Sequence, residues 1–236
     1  MSAVIIGALG AKINEVTSRG TRITAAGSGS YTPTVTGWHL VRLQAAGGAG
    51  GGGSQFATDH WGGAAGEYFE IKQYLIAETA YSYTVPGATV GISGVGPNGG
   101  NTVFVGPQKT YTAIGGSGAS DTGLSNTLHR RDGVATSKAP ALFAGPGCLY
   151  GANGGAGNSY GGYCSQHQGG ASLGGGGGGG GASLYAPGGD GGGHWNTPGA
   201  AAGTGAGDGG AASNGIATAG GNGGPGLIEI EYLGAI

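Results

Sequence analysis

The sequence predicts a mainly β chain in which a small antiparallel β-sandwich merges with a bundle of polyglycine and polyproline II-type helices, with little α-helix. Three observations lead there. Glycine supplies 63 of 236 residues against an ordinary frequency of about 7%, and it runs without interruption from Gly174 to Gly181. Charged residues make up 8%, where a solvated disordered chain is normally rich in charge. Short stretches of period-two alternation recur on either side of the glycine-dominated region, which extends from about Ala144 to Pro225.

Glycine loses more backbone entropy on ordering than any other residue, so an ordered glycine tract needs compensation. Extended chains with three residues per turn leave every N–H and C=O pointing outward, and unlike proline, glycine keeps its N–H. Such chains can hydrogen-bond sideways to several neighbours, and the missing Cβ lets those neighbours approach. Collagen is excluded because no strict Gly-X-Y period is present and only nine prolines occur.

The strands are read in order. Residues 25–37 carry turn chemistry leading into a strand at Trp38–Gln44, which stops at the glycine run beginning with Ala45 and Ala46. Glu67–Ile76 places Tyr68 and Glu70 on one face and Phe69, Ile71 and Gln73 on the other. Further strands are expected at 80–86, 88–92, 101–106 and 108–114, with a corner at Pro86 and Gly87, and 227–233 closes the chain with clean alternation. Six or seven strands suffice for a small sandwich. The stretch between 114 and 227 lacks strand or helix pattern and reads as glycine-rich passes anchored by a few apolar residues such as Leu142, Phe143 and Leu173.

Residues 1–23 form a separate N-terminal docking segment, and 24–236 the glycine-rich domain. Val4, Ile5, Ile6, Leu9 and Ile13 supply an apolar set too short to bury a core alone and are expected to dock on another protein or on symmetry mates. The same stretch reads as neither signal peptide nor membrane span. The formal net charge of −2 gives no footprint for nucleic acid. Cys148 and Cys164 are expected as reduced thiols.

Several local signatures, in this order, resemble the glycine-rich C-terminal domain of tailed-bacteriophage tail fibres and tip adhesins. They are 27–33 leading into Trp38–Leu43 and 47–53, then 62–68, 81–87 and 99–104, and finally 220–232. The resemblance covers residues 24–236. It implies a structural virion protein at the distal end of a phage tail, a fibre, tail-tip or baseplate protein that binds a host cell-surface receptor, either polysaccharide or outer-membrane protein. It also implies contact with other virion proteins and assembly as a homotrimer. The short N-terminal segment favours a tip over a long fibre. A head fibre or capsid decoration protein with a purely structural role is the alternative, and a glycine-rich cell-wall protein is a third reading.

No catalytic activity, cofactor or metal is expected. The phosphate loop needs Gly-Lys, which the chain lacks. Cys148, Cys164, His167 and His194 match no familiar zinc spacing. Asp190, His194, Ser172 and Ser183 have no strand framing that would make a hydrolytic site. The aromatic and imidazole groups in the glycine region have two readings: Tyr160, Tyr163, His167, Tyr185, His194 and Trp195 either plug gaps at the lattice edge or contact a receptor from turns at the exposed end. Tyr150 is read as a gap-filler, and His60 with Trp61 as a second patch.

Overall fold

The computed structural model describes residues 20–52, 62–119, 182–191, 198–205 and 218–235. Eight strands are present among them: β1 Gly20–Ile23, β2 Gly27–Tyr31, β3 Gly37–Gln44, β4 Tyr68–Leu75, β5 Tyr81–Val85, β6 Thr102–Val105, β7 Thr110–Ala113 and β8 Leu227–Gly234. They form two antiparallel four-stranded sheets, ordered β1-β8-β3-β4 and β2-β5-β6-β7. The described chain is mainly β, and no helix occurs in it.

Alternation explains the core. Val41 and Leu43 of β3, Ile228 and Ile230 of β8 and Leu75 of β4 are fully buried and cluster with Tyr81, Val85, Phe104 and Ala113 of the second sheet. Each buried Val, Leu, Ile or Phe side chain among them contributes about 1.5–3 kcal/mol of burial. His39 is also buried. Its Nδ1–H donates to the Gly37 carbonyl at 3.0 Å, and burial pushes its pKa down, so the ring stays neutral.

Two strands lie where alternation gave no signal. β2 is a run of glycine, serine and one tyrosine held by its ladder to β5, with the Tyr83 ring lying where a Cβ on Gly29 would sit. β1 is an edge strand on β8, so the last four residues of the expected docking segment join the sheet. Val4, Ile5, Ile6, Leu9 and Ile13 lie outside the described residues. The stretch expected as a strand at 88–92 forms only an isolated bridge, Thr89 with Gly223. The ladder stops because the next inward amide, that of Gly91, donates to the side chain of Asn222.

Past the end of β3, over 45–52, the chain stays buried without ladder pairing. After β3, the amides of Ala45 and Gly48 donate to the carbonyls of Glu67 and Ala64, those of Ala46 and Ala49 to Gly100 and Pro97, and that of Gly47 to Gly224, at 2.9–3.2 Å. The partner pass recurs every third residue. A β-ladder alternates between two sides, whereas this chain distributes its amides among three. The spacing recurs elsewhere: Ala64 and Glu67 donate to Ser117 and Ile114, Gly96 and Gly99 to Ala119 and Gly116, and Ala202 and Gly205 to Asn222 and Pro225.

Glycine is required where these passes touch. A Cβ on Gly96 or Gly99 would overlap the carbonyls of Ala49 or Ala46, and one on Gly118 or Gly115 those of Gly96 or Gly99. The obstacle is backbone, which cannot swing aside. Alanine is accepted at 45, 46, 49, 64, 65 and 119, all buried. The tract Gly174–Gly181 lies outside the described residues, so the lattice seen here is built by the passes that frame the strands.

Gly118→Ala is therefore expected to lower unfolding free energy by about 3 kcal/mol, the upper part of the range for overpacking. Gly87→Ala, whose Cβ meets only the Ala26 methyl at 3.5 Å, should stay within about 0.5 kcal/mol. Denaturant unfolding of the two variants measures both, and equal midpoints would refute the close-approach argument.

Candidate functional site: a charged row on the sheet face

The face of the first sheet that points away from the core carries the densest chemistry among the described residues. In β3 the inward residues are Val41 and Leu43, so Arg42 points outward; in β8 Ile228 and Ile230 point inward, and Glu229 and Glu231 outward. Strand register then aligns Arg22 of β1, Glu229 of β8, Arg42 of β3 and Glu70 of β4 in one row across all four strands. The signs alternate along the row.

The contacts follow from that register. Arg22 Nε lies 3.5 Å from Glu229 Oε1, Arg42 Nε lies 3.4 Å from Glu70 Oε2, and Arg42 Nη2 lies 3.0 Å from Glu231 Oε2. Burial alone would lower the Arg42 pKa, but the hydrogen bond and charge of Glu231, with Glu70 nearby, raise it on balance. Exposed pairs contribute only about 0.2–1 kcal/mol each, so the row fixes strand register more than it stabilises. Beside it, a cleft of about 400 Å³ is lined by Thr21, Arg22, Arg42, Glu229, Ile230 and Glu231, among others.

Two tyrosines close one end. The Tyr185 ring meets Tyr68 edge-on at 6.0 Å, lies under the Arg22 guanidinium at 5.4 Å, and its hydroxyl donates to Glu229 Oε2 at 3.0 Å. Tyr68 donates to Glu70 Oε2 at 3.3 Å. The turn that presents Tyr185 is fixed by Ser183, whose hydroxyl donates to the Thr204 carbonyl at 2.6 Å and accepts the amides of Tyr185 and Ala186. Burial, then the Glu70 charge, pushes the Tyr68 phenol up to about 12; burial, then Glu229, pushes Tyr185 higher still.

Chemically, the cleft offers guanidinium donors and carboxylate acceptors whose charges cancel among Arg22, Arg42, Glu229 and Glu231. It suits hydrogen bonding to a polar surface. Of the residues expected to contact a receptor, Tyr185 is brought to this row, half-buried, with its hydroxyl committed to Glu229. Tyr160, Tyr163, His167, His194 and Trp195 lie outside the described residues, as do Tyr150, His60, Trp61, Cys148, Cys164 and Ser172. Asp190 is described and exposed; its carbonyl accepts the Ala200 amide at 2.7 Å. Sequence reading missed Arg22 and Arg42, although alternation in β3 and β8 places Arg42 and Glu229 on their outward faces.

A sandwich of two short antiparallel sheets extended by glycine-spaced backbone passes defines a glycine-rich β domain. The sequence profile of the glycine-rich domain family matches residues 24–233, and the chain belongs to that family. No curated protein matches it.

The tyrosine environment has a pH consequence. With a folded pKa of about 12 against 10.0, Tyr68 keeps a proton that the unfolded chain releases. Stability is full below pH 10 and falls as pH climbs towards 12, and Tyr185 acts in the same direction. Ultraviolet titration of the native protein should show the Tyr68 and Tyr185 phenols still protonated above pH 10, where the unfolded chain releases its phenolic protons. Glu229→Gln should bring one of them down. Ionisation of all the tyrosines together near pH 10 would contradict the geometry.

Proposed function

We propose that this chain is a structural virion protein of a bacteriophage tail, a tail-fibre or tail-tip protein that binds the host cell-surface receptor, and that its glycine passes are polyglycine II-type helices. The observation that supports this reading best is the three-way distribution of amides in 45–49 among separate backbone passes. Three residues per turn is the period of that helix type. An interior bonded laterally in this way is stiff and can hold loops at its end in fixed positions. On this reading Tyr160, Tyr163, His167, Tyr185, His194 and Trp195 are the residues that contact the receptor. The tail's distal end, a homotrimeric assembly and contacts with other virion proteins through residues 1–23 belong to the same proposal.

A head fibre or capsid decoration protein is the second reading, and one observation favours it. The Tyr185 ring and hydroxyl are already engaged within the molecule, as a packing residue would be.

The two readings separate in one experiment. Fluorescently labelled protein is expected to decorate host cells and to block phage adsorption in a dose-dependent way, with Tyr163→Ala and Trp195→Ala each reducing binding about tenfold or more, as hot-spot aromatics do. Folded protein that neither labels cells nor competes, and that immunogold places on the capsid, would establish the structural role instead.

A further inference from the structure

The outward face of the first sheet changes character along its strands. At one end Gln44 and Tyr68 lie buried, and the charged row comes next. One step further, strand register sets Gly20, Glu231, Leu40 and Lys72 side by side on that face. The last step is apolar. Leu233 of β8, Trp38 of β3 and Tyr74 of β4 stand two residues beyond Glu231, Leu40 and Lys72, where alternation returns each strand to the outward side. Tyr74 and Leu233 are each 45% exposed, and Ile76, just past β4, is 53% exposed. The Trp38 ring meets Tyr74 edge-on at 5.6 Å, and Trp38 pairs with Gly234, the neighbour of Leu233. Exposed apolar residues scattered singly are ordinary, but four together at one end of a sheet face form a patch.

The chain enters the sheet at the same end. β1 pairs antiparallel with β8, with Gly20 opposite Glu231, so the residue before Gly20 arrives on the flank of Tyr232 and Leu233. Residues 1–19 carry Val4, Ile5, Ile6, Leu9, Ile13 and Val16, a set too small to bury itself. Seven residues separate Ile13 from Gly20. Extended, they reach up to about 23 Å, whereas the distance from β1 across to β4 is about 15 Å.

We propose that the apolar end of this sheet, formed by Trp38, Tyr74, Ile76 and Leu233, is the docking surface for residues 1–19 of the same chain. The patch, the point of entry and the apolar content of the segment coincide, and the tether is long enough. A tethered segment also meets the patch at an effective concentration that a separate molecule must supply from solution. The inference stands apart from the receptor reading. A contact of residues 1–23 with another virion protein would be made with 1–19 already seated on this sheet.

A photo-crosslink in the full-length protein tests it. Tyr74→p-benzoylphenylalanine keeps an aromatic ring at an exposed position and, on irradiation, bonds to whatever lies against that ring. A mixture of unlabelled and nitrogen-15-labelled protein is irradiated, digested and read by mass spectrometry. The expected adducts join position 74 to peptides within residues 1–19, and each adduct carries a single isotope. Adducts joining labelled to unlabelled peptides would give the patch to a second copy, and adducts to other parts of the chain, or none, would leave the segment elsewhere; each of these results overturns the proposal. Limited trypsin digestion supplies a second readout. Cleavage after Lys12 is expected to be about tenfold faster in Leu233→Glu than in the unaltered chain, because a carboxylate in the patch opposes the burial of apolar side chains against it. Equal cleavage rates would also overturn the proposal. Leu233 is exposed, so the change spares the core; if the variant nevertheless fails to fold, the crosslink decides.

Discussion

Every buried amide must find an acceptor, and in this protein that requirement replaces the usual demand for apolar side chains over a large part of the interior. From Ala45 to Ala49 no side chain exceeds a methyl group, yet each amide is bonded to a different stretch of backbone from its neighbour. The cohesion is lateral and comes from hydrogen bonds that individually contribute about 1 kcal/mol net. Glycine is the condition for it, because carbonyls of adjacent passes occupy the positions where Cβ atoms would lie. The entropy lost in ordering glycine is offset by bonding that only glycine permits.

The sandwich and the lattice are one body at their seam. Gln44, the last residue of β3, is fully buried, and its Nε2 donates to the carbonyls of Ala45 and Gly66 at 3.1 and 3.0 Å. Its own carbonyl accepts Thr102 Oγ1 at 2.7 Å, which ties β3 to β6. Gly226, just before β8, donates to the Pro86 carbonyl at 3.0 Å just after β5. Strand ends and pass beginnings are thus bonded across both sheets, and the change from two amide directions to three takes place within one or two residues. Gln44 shares the outward face of β3 with Arg42, so the charged row lies on the same side of the sheet as the seam, and the Ser183–Tyr185 turn joins the two.

Strands with mixed composition were legible in the sequence. Alternation is cleanest in β8, where Ile230 stands between Glu229 and Glu231, while β6 was legible from its β-branched and aromatic run Val103, Phe104 and Val105. β2 was illegible because Gly27, Ser28, Gly29 and Ser30 carry no inward apolar side chain, and its place is set by pairing with β5. The 88–92 stretch shows the opposite failure: Val90 and Ile92 look like strand residues but are exposed, while the amides of Thr89 and Gly91 turn to separate acceptors. The charged row needed register across four strands, and no single segment contains that information. Glycine abundance announced a backbone-bonded interior, but which pass bonds to which depends on long-range partners such as Gly47 with Gly224.

Residue-resolved amide exchange across 45–49 and 114–119 reads the lateral bonds themselves. If bonded backbone is the interior, the amides of Ala45, Ala46, Gly47, Gly48 and Ala49 exchange as slowly as those of Val41 and Leu43 in the central strand, through the same global opening. Exchange at the rate of an open glycine chain, with Val41 and Leu43 still protected, would contradict it.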